Sequence, residues 1–147
     1  MRARLLFVNV LLLLGFISCF AQEKILSCEY NLLMQIRGRE MTAICVMEIS
    51  TDSSIVGTVV NEFGVKVFDF IFSEGKAKVL NVIGPLDKWY IRKVLRGDFN
   101  FILSNFGSGN DAVKKKRRLT HLPNGVISVS NDRYRIRYTF TPMSNRL

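Results

Sequence analysis

The stretch KWYIRKVLRGDFNFILSNF, Lys88–Phe106, decides the fold. Ile91, Val94, Leu95, Phe99, Ile102, Leu103 and Phe106 recur at steps of three and four residues, and Lys88, Arg92, Lys93, Arg96 and Asn100 fall opposite them. That is the pattern of an amphipathic helix with one face to bury. Asp87 is placed to cap a helix beginning at Lys88, with Leu86 and Ile91 as a hydrophobic staple. Gly97-Asp98 interrupts the stripe. Glycine disfavours a helix interior by about 1 kcal/mol and Asp98 can restart a helix as a new cap, so a bend is expected there. Gly107-Ser108-Gly109-Asn110 ends the element.

Before the helix, runs rich in Val, Ile and Phe alternate with turn residues, the signature of an antiparallel meander. Ile25 to Ile36 and Met41 to Ser50 flank Arg37-Gly38-Arg39-Glu40. Thr51-Asp52-Ser53-Ser54 leads into Ile55 to Asn61, Phe63-Gly64 into Val65 to Phe72, and Ser73-Glu74-Gly75-Lys76 into Ala77 to Ile83. After the helix, Ala112 to Thr120, Gly125 to Ser130 and Arg133 to Thr141 read as three more strands. Five strands, one helix and three strands make an α+β fold. The helix must bury its stripe on the sheet, which predicts a curved antiparallel sheet of about eight strands with one long helix on the concave face.

The start of the chain is an address. Arg2 and Arg4 precede an apolar run from Leu5 to Ile17 and small residues at Ser18, Cys19 and Ala21, so residues 1–21 read as a cleaved export signal. Cleavage after Ala21 releases a soluble periplasmic protein, whereas a lipobox reading makes Cys19 a lipidation site and tethers the protein to the outer membrane. Residues 22–147 fit one domain, expected to be a monomer. Without Arg2 and Arg4 the chain carries nineteen basic and twelve acidic side chains, which favours anionic surfaces such as lipid headgroups or polysaccharide. Export makes nucleic acid the weakest of these partners. Cys28 and Cys45 form an even pair outside the cytoplasm, a candidate disulfide, although a simple hairpin register sets them diagonally; buried thiols are the alternative.

No catalytic constellation emerges. The chain has one histidine, His121, with no Gly-x-Ser-x-Gly elbow and no Cys-x-x-Cys. Asp69 with Glu62 and Asp98 with Asp87 read as structural carboxylates. The expectation is a non-enzymatic protein without metal or cofactor. The sharpest charge feature is Lys114-Lys115-Lys116-Arg117-Arg118, which cannot sit deeply on either strand face and should project or form an edge. It reads as an anionic-surface contact or as edge protection. Arg133, Arg135 and Arg137 alternate with Tyr134, Ile136 and Tyr138, giving that strand one basic side. Met34, Met41, Met47, Phe63, Phe68, Phe70, Phe72, Trp89 and Phe99 are adaptable apolar residues that either line a cavity for acyl chains or form the core.

The segment from Met41 to Leu103, above all Asn61-Glu62-Phe63-Gly64-Val65-Lys66-Val67-Phe68-Asp69-Phe70 followed by Leu86-Asp87-Lys88 and the helix, resembles the LolA/LolB-like lipoprotein-sorting superfamily, particularly small exported Bacteroidota proteins that look like LolB. The resemblance implies an incomplete barrel whose apolar concavity receives lipid or the acyl chains of lipoproteins. Its inward candidates are Met47, Val59, Phe68, Phe70, Trp89 and Phe99. Two readings stand: a lipid- or lipoprotein-binding envelope protein, and a compact envelope module with a filled core whose basic strands dock an anionic partner.

Overall fold

Alternation of apolar and polar side chains carries directly into strands. The computed structural model describes residues 25–143; the export-signal reading of residues 1–21, including lipidation at Cys19, lies outside the described residues. Five strands come first: β1 (Leu26–Ile36), β2 (Arg39–Ile49), β3 (Ile55–Asn61), β4 (Lys66–Ser73) and β5 (Lys76–Leu80). A 3₁₀ turn at Gly84–Leu86 leads into the helix α1 (Trp89–Asn105). Four strands follow: β6 (Ala112–Lys114), β7 (Arg117–His121), β8 (Ile127–Asn131) and β9 (Ile136–Pro142). They form one antiparallel sheet in the order β5-β4-β3-β2-β1-β9-β8-β7-β6. The first and last strands, β5 and β6, remain edges, so the barrel is open.

The helix touches β4 and β5 on one wing of the sheet and β7 on the other, so the sheet curls around it. Its apolar stripe is buried as the periodicity requires: Leu95, Phe99, Ile102 and Leu103 face the sheet. Phe99 packs edge-on to Phe68 at 5.1 Å between centroids, beside Phe70 at 5.0 Å, and edge-on to Tyr138 at 6.0 Å. At the far end of the helix Phe106 packs edge-on against Tyr30 and Phe140. Such pairs add about 0.5–1.5 kcal/mol each beyond area burial. Met47, Gly57 and Phe70 are successive cross-strand neighbours. A Cβ built on Gly57 would lie 2.2 Å from the Phe70 ring, so the missing side chain is what lets that ring lie flat across β3.

Several details differ from the sequence expectations. The sheet has nine strands because the segment from Ala112 to Thr120 folds back at Lys115-Lys116, with Lys115 at a φ of 57°. Arg133–Arg135 belong to the turn before β9, and the alternation begins at Ile136. The helix starts at Trp89 after Lys88, with no side-chain cap; Asp87 instead pairs with Arg92. It then runs unbroken through Gly97-Asp98. Cys28 and Cys45 are free thiols: Cys28 faces Met47 and Cys45 faces Tyr30 across the β1–β2 ladder, a diagonal that the hairpin register keeps apart.

Two outcomes follow. Gly57→Ala should lower stability by about 1–3 kcal/mol through overpacking against Phe70, read as a lower urea midpoint with an unchanged slope. Burial pushes the Cys45 thiol up from its ordinary 9.0 to about 12, so the folded state holds a proton that the unfolded chain releases above its lower value. Thiol titration at mildly alkaline pH should therefore detect Cys28 in the folded protein beginning at Gln22, and Cys45 only after denaturation. By the same linkage, the stability contributed at Cys45 is complete below its ordinary value and is lost as pH rises toward about 12. Rapid labelling of both thiols in the native state would contradict this packing.

Candidate functional site

Asp98 lies on the apolar side of the helix and is fully buried, at 0% exposure. A carboxylate there requires donors, and three reach it from three consecutive strands. Arg117 of β7 donates through Nε to Oδ1 at 2.7 Å, Asn131 of β8 donates through Nδ2 to the same oxygen at 2.6 Å, and the Tyr138 hydroxyl of β9 donates to Oδ2 at 2.7 Å. Burial first, and then the neighbouring Asp98 charge, push the Tyr138 phenol well above its ordinary 10.0, so it stays a donor. Gly97 serves the same contact: a Cβ there would fall 2.7 Å from Nη2 of Arg117. On the other wing, Asn100 Oδ1 accepts the Ala77 N–H of β5 at 2.7 Å. One turn of helix is thus bonded to both halves of the sheet.

These bonds set the floor and walls of a surface groove. Its walls are β5, carrying Lys76 and Lys78, and the β6–β7 hairpin, carrying Lys114, Lys115 and Arg117; its floor is the helix from Arg96 to Asn105. The volume is about 580 Å³. Two smaller recesses, about 350 and 320 Å³, adjoin it and share Arg96. The first adds Trp89, Arg92 and Lys93; the second adds Lys116, Arg133 and Tyr134. Ten cationic side chains line the three recesses; Arg92 and Arg117 are paired with Asp87 and Asp98, and among the described residues the other eight have no carboxylate partner. The opposite face of the sheet differs: a recess of about 470 Å³ there includes Glu48 and Asp69. Burial works to raise the Asp69 carboxyl, but hydrogen bonds from Asn81 and Lys66 outweigh it and hold the group below its usual range.

The five-cation run is divided by this geometry. Lys114, Lys115 and Lys116 project, and Arg117 turns inward to Asp98 while still lining the groove. Arg118 is exposed on the reverse face of β7, between Arg117 and the buried Leu119. Of the residues proposed to line an acyl-chain concavity, Met47, Val59, Phe68, Phe70 and Phe99 meet in the packed core. The space over Phe68 and Phe70 is taken by Phe99. Trp89 stands apart, 77% exposed at the start of the helix and edge-on to Tyr90.

Asp98 is a structural carboxylate, as its sequence reading has it, but its partners and the roles of Asn100 and Asn131 escaped sequence reasoning. A charge set within an apolar helical stripe, directly after glycine, was the available signal: such a residue needs a buried partner more than a cap. Among the described residues, no cluster of His, Cys, Asp or Glu could hold a metal ion, and no helix is long and apolar enough to cross a membrane. Neither a family model nor a curated protein matches the sequence. Asp98 itself has no free face for a substrate, so its chemistry is positional.

Asp98→Ala should cost about 3–5 kcal/mol, because it leaves a guanidinium and two buried donors without their acceptor. Tyr138→Phe should cost about 1 kcal/mol. Denaturant unfolding of the two single variants and the double variant should give strongly non-additive losses, and simple additivity would exclude a shared network.

Proposed function

We propose that the protein is a non-enzymatic module of the cell envelope that docks an anionic partner in the cationic groove along its helix. The observation that carries the reading is the set of three adjoining recesses lined by ten cations, eight of them without a carboxylate partner among the described residues. Clustered cations in a concave surface focus field and raise the local concentration of anions. The export reading of residues 1–21 supports an envelope location, either as a soluble periplasmic protein or tethered through Cys19. The LolA/LolB-like resemblance is kept at the level of architecture, an open curved sheet around one helix. Acyl chains could reach the concavity only if the helix, with Phe99, swung out against the bonds of Asp98 and Asn100. The outer groove is open without any such movement.

Retention on an anionic resin is a first test when it is compared between variants of equal charge. Arg96→Glu should elute at much lower salt than the parent, since Arg96 borders all three recesses. Arg118→Glu, on the reverse face, should elute close to the parent. Retention should also fall steeply as the screening length shortens from about 10 Å at 0.1 M salt. Equal shifts for both variants would reduce the effect to net charge and remove the groove from the argument. Arg117 is unsuitable for this comparison, because a glutamate there would face the buried Asp98 and unfold the site.

A further inference from the structure

We infer that the occupant of this groove is a linear acidic polysaccharide, a chain of uronate or similarly charged sugar rings; the inference rests on the anion-docking reading and names its partner class. Shape comes first. Two of the recesses, joined at Arg96, follow the helix from Trp89 to Asn105, a length of about 24 Å at 1.5 Å rise per residue, and the third opens beside them toward Arg133 and Tyr134. A track of that form suits an extended chain, with cations at intervals on both walls for successive anionic groups. A flat bilayer would meet the projecting Lys114, Lys115 and Lys116 without using the recess, whereas an extended chain uses both.

The lining chemistry separates the remaining polyanions. An acidic peptide would gain most by adding a strand to a sheet edge. Here the outward Ala77 N–H of β5 is already bonded to Asn100, and β6 is only three residues long, so the ladder offers such a peptide little. A single-stranded nucleic acid needs aromatic faces on which successive bases stack. The aromatic residue of the main groove, Phe101, is 5% exposed and belongs to the core, and Trp89 and Tyr134 line different side recesses, so successive bases meet no run of aromatic faces. Sugar rings ask for something different: charge for the carboxylates and short polar groups for the hydroxyls. The floor supplies those groups. Asn100 uses its side-chain oxygen on the Ala77 N–H and keeps its amide N–H groups, while Ser104 Oγ donates to the main-chain carbonyl of Asn100 and keeps its lone pairs. At the helix start the exposed indole of Trp89 offers a flat face on which one ring can lie.

The test is a calorimetric titration of the protein beginning at Gln22 with hexameric oligogalacturonate at fixed salt. Parallel titrations use an oligothymidylate with the same number of charges, and vesicles of phosphatidylcholine with phosphatidylglycerol. The expected result is binding of the oligogalacturonate in preference to both, weakened roughly tenfold or more by Arg96→Glu/Lys114→Glu. Arg39→Glu/Arg118→Glu makes the same change in net charge at exposed positions outside the groove and should leave the affinity nearly unchanged. Trp89→Ala should weaken binding several-fold without altering its salt dependence. Circular dichroism and urea midpoints matching the parent would establish that these surface variants fold. Equal losses in the two double variants would overturn the assignment to the groove. Vesicle or oligothymidylate binding through Arg96 and Lys114, with the oligogalacturonate ignored, would overturn the glycan and leave the anion-docking reading intact. Failure of all three probes to bind would remove both.

Discussion

The buried carboxylate of Asp98 is the constraint from which the rest of the structure takes its shape. Carrying that charge into an apolar interior is unfavourable unless donors surround it, and the donors come from Arg117, Asn131 and Tyr138 on three adjacent strands. Hydrophobic burial alone would let the helix slide or rotate on the sheet, because apolar contact is not directional. Three hydrogen bonds with fixed partners remove that freedom. They also explain a glycine in mid-helix, where helix propensity is poor: Gly97 leaves space for the Arg117 guanidinium to reach its acceptor.

The same turn of helix has two audiences. Phe99 and Ile102 complete the core, whereas Arg96 and Asn100, on the other side, form the floor of the groove. Core packing and groove geometry are therefore not independent. A change that loosens Asp98 would shift Arg96 and Arg117 relative to β5, altering the spacing of cations without touching any exposed residue. Charge is divided accordingly, with cations gathered on the helix side and Glu48 and Asp69 across the sheet. Net charge alone would describe the molecule as uniformly basic and miss this polarity.

The elements that were legible in the sequence were those set by local periodicity. The helix stripe from Ile91 to Phe106 and the strand alternation through Val67, Phe68, Asp69 and Phe70 each express contacts repeated over a few residues. The hairpin at Lys115-Lys116 was not legible, because five consecutive cations carry no apolar alternation to mark where a strand stops, and the left-handed backbone at Lys115 uses a residue with no turn preference. Asp98 misled for a related reason. Gly-Asp looks like a local break, but its partners lie 19, 33 and 40 residues further along, and only the topology brings them together. Trp89 was grouped with the inward aromatics on residue type, although its place one turn before the buried stripe leaves it outside.

Edge protection and partner binding, the two readings of the cationic run, converge on one geometry. Pairing β5 with β6 would close the barrel, but neighbouring strands must approach to about 4.8 Å, and lysines at 76, 78, 114 and 115 would then be forced together. The helix packed between the wings, with Asn100 occupying an edge donor of β5, keeps them apart, and like charges on the two edges would oppose closer approach. The open sheet leaves a gap, and the lysines of its two edges line it. Cations gathered along both edges of a gap repel one another, so the proposed anionic chain, lying between them, would offset that repulsion while the helix beneath keeps the gap at its width.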